Sequence, residues 1–364
     1  MSIARLYFSI FLYSIIVMTL FVSLGLVSKT YNGIRKGYGG AAVAFVICIC
    51  YAVWIGHRPP TYEFADTGNY AHVFKLMQLG LPGVYEESSE WVWNGIAGIC
   101  AKIMDVSSYL TIIAIGYFGF TYLACRVLTP NNVLVSVLFM MGAFSFYSYG
   151  VNGLRNGLAC SITLAAVAFL ASSRKTLIIG LLLAFFAVNI HKTIMLPIAS
   201  LFASIYVVKN FKWAYTFWIL SIIISLVAGG AVTALFAGLG FDDRVSYLTT
   251  IDEGMFSHTG FRWDFLIYSM MPIILGYYVI IKKGIQDKTY TILLNTYTLA
   301  NAFWVMVIRA NYSNRFAYLS WFMYPIVLAY PLLKLDIWGE RQGKRTAQIM
   351  LVHVGFTWFM STFM

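Results

Sequence analysis

Apolar residues arrive in long blocks separated by short polar turns, and the blocks are sized for a bilayer. A hydrocarbon core of ~30 Å takes ~20 helical residues per crossing, and about twelve blocks approach that length. They run over residues 7–27, 40–56, 109–125, 133–149, 157–171, 176–190, 193–208, 213–238, 263–281, 289–308, 316–333 and 346–363. The pattern predicts an all-α, polytopic membrane bundle of about 11–13 transmembrane helices. Segments between 150 and 208 are short, so they tilt, break or lie in the interface. Polar helix ends are then brought close to the membrane surface, where irregular backbone is tolerated only against protein or a wet cavity.

No Pro- or Ser-rich linker, low-complexity tract or internal repeat divides the chain, which reads as a single integral membrane domain over 1–364. Two loops are large, at about 57–108 and 239–262. The first is acidic, with Glu63, Asp66, Glu86, Glu87, Glu90 and Asp105. It carries an amphipathic run from Tyr70 to Leu79 suited to lying on the membrane surface. The second holds Asp242, Asp243, Arg244, Tyr247, Asp252, Glu253, His258 and Arg262. Loops this long are functional or disordered, and frequent aromatics argue against disorder.

Composition agrees with the periodicity. At 60% hydrophobic and 11% charged residues, the chain exceeds what one soluble core hides. The net charge of +11 suggests nucleic acid in a soluble protein, but its distribution is topological. Alternate loops gather about 15 Lys and Arg with about three acids, a positive-inside bias that puts both termini outside the cytoplasm. Lys29, Arg35, Lys36, Arg174, Lys175, Lys209, Lys212, Lys282, Lys283, Lys344 and Arg345 carry it. No loop offers the basic face with interleaved aromatics that nucleic acid needs. The first apolar block is about 20 residues long without a small-x-small cleavage site, so it is expected to stay as a helix. Cys48, Cys50, Cys100, Cys125 and Cys160 lack metal-ligand spacing. Trp54, Trp91, Trp93, Trp213, Trp263 and Trp338 fall near block ends, where indole rings anchor in the headgroup layer.

Charged and conformationally special residues recur at block ends that the topology puts outside the cytoplasm. They are Asp66-Thr67-Gly68, Asn152-Gly153-Leu154-Arg155-Asn156, His191-Lys192-Thr193 and Arg309 through Arg315. Arg155 lies close enough to hydrocarbon that it requires an anionic partner. Guanidinium forks suit phosphate oxygens, so Arg155, Arg309 and Arg315 with Lys192 make a pyrophosphate clamp. The competing reading pairs Arg155 or Arg309 with Asp66 or Asp264, or lets them snorkel to headgroups. His191 is either an interfacial histidine or a donor or base tuned by the adjacent Lys192. Asp66 is either a helix N-cap or a proton acceptor.

Asp66-Thr67-x-x-Tyr70, Asn152-Gly-Leu-Arg155-Asn-Gly-Leu-Ala159, His191-Lys192-Thr193 and Arg315-x-x-Tyr318, in this order over about 60–330, resemble the EpsG family of exopolysaccharide proteins, which goes with Wzy-type O-antigen polymerases. The family typically has Gln after the motif arginine; this chain has Asn156. The resemblance implies a glycosyltransferase C-like fold and a glycosyltransferase activity; no cofactor is expected, and a metal is not required because arginines can neutralise pyrophosphate and no dedicated metal motif stands in the sequence. Such an enzyme would polymerise undecaprenyl-pyrophosphate-linked repeats into O-antigen or exopolysaccharide on the periplasmic, extracytoplasmic side of the bacterial inner membrane. Its partners would be lipid-linked glycan, membrane lipids, and a chain-length regulator and flippase of the same pathway.

In that setting Arg155, Lys192, Arg309 and Arg315 would hold the pyrophosphate, and Asp66 or His191 would deprotonate the acceptor hydroxyl. Tyr70, Asn152, Tyr247, His258, Arg262, Asn314 and Tyr318 would contact sugar, with Trp91 and Trp93 as further stacking rings and Glu86, Glu87, Asp242 and Asp243 as hydroxyl acceptors. Direct inversion at the anomeric carbon needs only a base. A flippase would need charge along a path through the whole membrane, and an O-acyltransferase a cytoplasmic acyl-donor route. A ligase would differ only in its acceptor, and a scaffold subunit would tolerate neutral replacements of the arginines.

Overall fold

The computed structural model describes residues 2–81, 90–238, 260–310 and 313–363. Every regular element among them is helical. The chain divides into two compact units, Met1–Lys192 with Ala329–Met364, and Thr193–Leu328.

In the first unit run α1 (Ile3–Val27), α2 (Tyr31–Lys36), α3 (Ala41–Gly56), α4 (Asp66–Gln78), α5 (Trp91–Ile103) and α6 (Val106–Leu128). They continue with α7 (Val133–Met141), α8 (Phe146–Val151), α9 (Leu154–Ser172) and α10 (Leu177–Ile190). Local sequence starts several of them. Ser2, Thr30 and Asp105 accept the N–H of Arg5, Gly33 and Ser108 at 3.3, 3.2 and 2.7 Å, which satisfies donors that a first turn leaves free. α9 is nearly all buried and packs between α6 and α10. Ala159, Ser161, Ala165, Ala166 and Ala168 allow that close approach between membrane helices.

The second unit contains α11 (Met195–Tyr206), α12 (Phe211–Gly238), α13 (Trp263–Gly276, prolonged by a π-turn over Tyr277–Lys282), α14 (Lys288–Met306), α15 (Ser313–Trp321) and the first part of α16 (Tyr324–Lys334). α12 kinks at Ala228 (φ −130°, ψ 20°), just before Gly229-Gly230. Three of the unit's helices are joined by buried polar contacts: Trp218 Nε1 donates to Asn301 Oδ1 at 2.8 Å, and Asn301 Nδ2 to Ser320 Oγ at 3.1 Å. Hydrocarbon offers no alternative partner.

The last helix, α17 (Gln342–Phe363), returns to the first unit and lies along α1. A Cβ at Gly343 would stand 2.1 Å from Leu26 O, and the Gly343 N–H donates to Lys29 O at 2.8 Å, so only glycine fits there. His353 meets Phe139 O at 2.9 Å and Thr357 donates to Gly142 O at 2.7 Å, tying α17 to the end of α7.

Each of the twelve predicted blocks coincides with a helix or a helix pair. Six of the described helical segments are both long and apolar enough to cross a membrane: Ile3–Val27, Val106–Leu128, Leu154–Ser172, Phe211–Val232, Trp263–Lys282 and Arg315–Lys334. Others are shorter, such as α3, or broken, as where the block 133–149 divides into α7 and α8. Phe21, Leu24, Ile178, Leu182, Phe185 and Val227 are exposed. Such apolar faces are disfavoured in water and suited to lipid. The chain is a multi-pass membrane protein built as a helical bundle.

Candidate active site

Two of the predicted motifs meet at the end of α3. Arg58, fully buried, donates through Nη1 to Ile55 O at 2.9 Å, through Nη2 to Val151 O at 2.8 Å, and through Nη2 and Nε to Thr67 Oγ1 at 2.9 and 3.3 Å. Thr67 Oγ1 in turn donates to Val151 O at 2.6 Å. Burial pulls the Arg58 guanidinium down to about 10, partly opposed by Tyr147 and Tyr7, so it stays cationic at neutral pH. The Asp66 N–H donates to Asn152 Oδ1 at 2.9 Å.

Asp66 is therefore the first residue of α4 rather than its cap. Ala65 takes the cap position with φ 49° and ψ −119°, a conformation L side chains rarely adopt. The Asp66 side chain is exposed, at a helix start whose partial positive charge favours a carboxylate.

A second cluster lies around Glu90, the buried residue before α5. Its Oε2 lies 2.5 Å from Arg155 Nη1 in the first turn of α9. Its Oε1 lies 2.7 Å from His191 Nδ1 and accepts the Lys192 N–H at 3.1 Å. α10 ends where His191 turns extended (φ −151°, ψ 117°). Trp91 Nε1 also donates to Asn189 Oδ1 at 2.7 Å, so the start of α5 is fastened twice to the end of α10. Burial by itself would raise the Glu90 carboxyl. The His191 hydrogen bond and charge, Arg155 and the Lys192 N–H outweigh it and hold the group below the usual glutamate range.

Arg155 thus has its anionic partner, and it is Glu90 rather than Asp66 or Asp264. Asp264 is engaged by Arg262 at 3.0 and 2.6 Å, and the Arg262 guanidinium also sits 3.8 Å over the Phe265 ring. Arg262 lies in the second unit, as do Arg309, Arg315 and Tyr318. Arg309 is exposed in the turn after α14, 5.9 Å over the Phe261 ring, with its Cδ 3.1 Å from where a Gly229 Cβ would be. Arg315 is exposed early in α15, and Tyr318 packs edge-on to Trp321 at 5.7 Å.

Of the aromatic candidates, Tyr70 packs edge-on to Trp93 at 5.6 Å, and Trp93, 1% exposed, is core rather than a stacking platform. Trp91 is exposed. Tyr247, His258, Glu86, Glu87, Asp242, Asp243 and the Asn314 side chain lie outside the described residues. In the first unit, then, Asp66 joins Asn152, and Arg155 joins His191 and Lys192. The two residues that do the joining, Arg58 and Glu90, drew no role from the sequence.

Cationic side chains and a histidine are thus held together at helix ends of a multi-pass helical protein, where buried charge needs a partner. The EpsG family model matches residues 41–363, nearly the whole chain, and the chain belongs to that family. EpsG proteins are Wzy-type polysaccharide polymerases of surface glycan biosynthesis. No curated protein and no solved structure matches the chain.

Proposed function

We propose that this protein polymerises undecaprenyl-pyrophosphate-linked oligosaccharide repeats on the extracytoplasmic face of the bacterial cytoplasmic membrane. The growing glycan passes from its lipid pyrophosphate to a hydroxyl of the incoming lipid-linked repeat. The observation that carries the reading is the Arg155–Glu90–His191–Lys192 cluster. It puts a guanidinium, an ammonium-bearing residue and an imidazole at helix ends of one unit.

Departure of pyrophosphate needs cations where negative charge grows, and a guanidinium fork suits phosphate oxygens. Arg155 and Lys192 serve this role in the first unit, and Arg309 and Arg315 are anion ligands of the second. Deprotonation of the acceptor falls to Asp66 or His191, and the anomeric carbon inverts. Asn152, Tyr70 and Tyr318 are sugar contacts. Membrane lipids, a flippase and a chain-length regulator are its companions.

The test is glycan ladder formation in cells lacking the native gene. Wild type restores long chains, while membrane-resident Arg155→Ala leaves a single lipid-linked repeat, with a rate loss of about 10²-fold or more. Failure of single repeats to reach the outer leaflet without the protein would make it a flippase, and normal chains with Arg155→Ala would remove the site.

A further inference from the structure

We propose that Glu90 is a positioning residue that makes His191, rather than Asp66, the proton acceptor of the polymerisation step. The assignment rests on the polymerase reading above and deepens it.

An ionised carboxylate has only acceptor sites. With Glu90 Oε1 at 2.7 Å, Nδ1 of His191 must carry the hydrogen. The neutral ring then keeps its lone pair on Nε2, the nitrogen pointing away from Glu90. The same oxygen accepts the Lys192 N–H, and the other oxygen forms an ion pair with Arg155. One buried group therefore fixes the tautomer of the base and the position of the arginine that receives the leaving pyrophosphate. His191 terminates α10 in an extended conformation, and the Lys192 N–H beside it bonds the same Glu90 oxygen.

Asp66 contrasts with this. Its backbone N–H is fixed by Asn152, but its carboxylate is exposed, whereas the His191 ring is oriented by a buried carboxylate.

In the step, Nε2 of His191 takes the acceptor hydroxyl's proton as that oxygen bonds to the donor's anomeric carbon. The bond from that carbon to the pyrophosphate oxygen breaks, and its electron pair stays on the pyrophosphate. The imidazolium, countered by Glu90, then releases the proton to water.

The experiment uses the full-length protein in proteoliposomes. Its probe is lipid-linked repeat extracted from producing cells that lack this chain. Glu90→Gln keeps an acceptor but removes the charge, and is expected to lower kcat on the order of 10²-fold while KM moves less than about threefold. Glu90→Asp should recover part of the loss. Exogenous imidazole should restore His191→Ala by about 10-fold or more, and should fail in His191→Ala with Glu90→Ala, where no acceptor orients the added ring.

Wild-type kcat in Glu90→Gln, a loss confined to KM, or no imidazole rescue of well-folded His191→Ala overturns the assignment and leaves the polymerase reading standing. Should Glu90→Gln not reach the membrane, the imidazole result on His191→Ala decides alone. A wild-type protein that does not elongate the extracted lipid overturns the polymerase reading and this assignment with it.

Discussion

Asn152 Oδ1 accepts the backbone N–H of Asp66 at 2.9 Å across 86 positions of sequence. This bond sets the entry of α4 against the turn between α8 and α9, and so ties the carboxylate motif to the motif that carries Arg155. Asn152→Ala should cost about 0.5–1.5 kcal/mol, because the freed N–H still reaches solvent. Polymerisation should fall further than stability, since the turn next to Arg155 loses its anchor. A thermal midpoint measured beside the glycan ladder checks both. A ladder indistinguishable from wild type would show that the placement of this turn does not matter.

Ala65, one residue earlier, is held at φ 49° by the bonds on either side of it. A β-branched side chain is worst tolerated there, and glycine best. Ala65→Val should destabilise by roughly 1–3 kcal/mol. Ala65→Gly should be neutral or mildly stabilising, as relief of strain offsets the extra chain entropy. Equal thermal midpoints for the two variants would contradict this.

The helix skeleton was legible in the sequence because bilayer thickness dictates block length, as α1, α3, α6 and α12 show. The amphipathic run at Tyr70–Leu79 became α4 (Asp66–Gln78), one residue short at its end. α5 was hidden inside an expected loop, since Trp91–Ile103 is interrupted by Gly95 and Gly98 and is too short to span. The site was legible in its charges but not in their pairing. Arg155 announced that it needed a carboxylate. Hydropathy patterning carries no information on which acid, among several in the loop, meets the helix end at His191, 101 positions further along the chain. Arg58 was hidden among loop residues, although its place at the end of an apolar block, before Pro59-Pro60, is where an unpaired charge is costly.

Gly157 carries a packing constraint that bears on the site. A Cβ there would stand 2.4 Å from Tyr149 O, a backbone atom with little room to yield. Gly157→Ala should therefore separate α8 from α9, cost about 1–3 kcal/mol and displace both Asn152 and Arg155. Gly98 in α5 meets nothing within 4 Å, so Gly98→Ala should gain about 0.5–1 kcal/mol from helix propensity. Detergent-solubilised unfolding of the pair separates the effects, and the reverse order would refute the packing.

Glu90 makes an acid limit to stability. Its folded pKa lies below the unfolded value of about 4.3, so its contribution is complete above that pH and is lost as pH falls through the folded value. The thermal midpoint of wild type should drop on acidification below about pH 4.5, and more than that of Glu90→Gln, which has no carboxylate to protonate. Parallel curves would mean that Glu90 titrates alike in both states.

Arg309 offers a test within the second unit that needs no change to its own charge. Its Cδ lies 3.1 Å from where a Gly229 Cβ would be, just past the kink of α12 at Ala228. A β-branched side chain at 229 must push the arginine stem aside, since Arg309 is exposed and has room to move while the helix backbone does not. If the arginine's position matters to pyrophosphate, Gly229→Val should reproduce much of the defect of Arg309→Ala, about 10²-fold in rate. The double variant should add little, because both changes remove one interaction. Arg309→Lys should fall short of wild type, as an ammonium keeps the charge but not the planar fork. Ladder lengths and initial rates in membranes matched for protein level decide the matter. Independent, additive losses from the two sites would mean that Gly229 acts through the kink and not through Arg309.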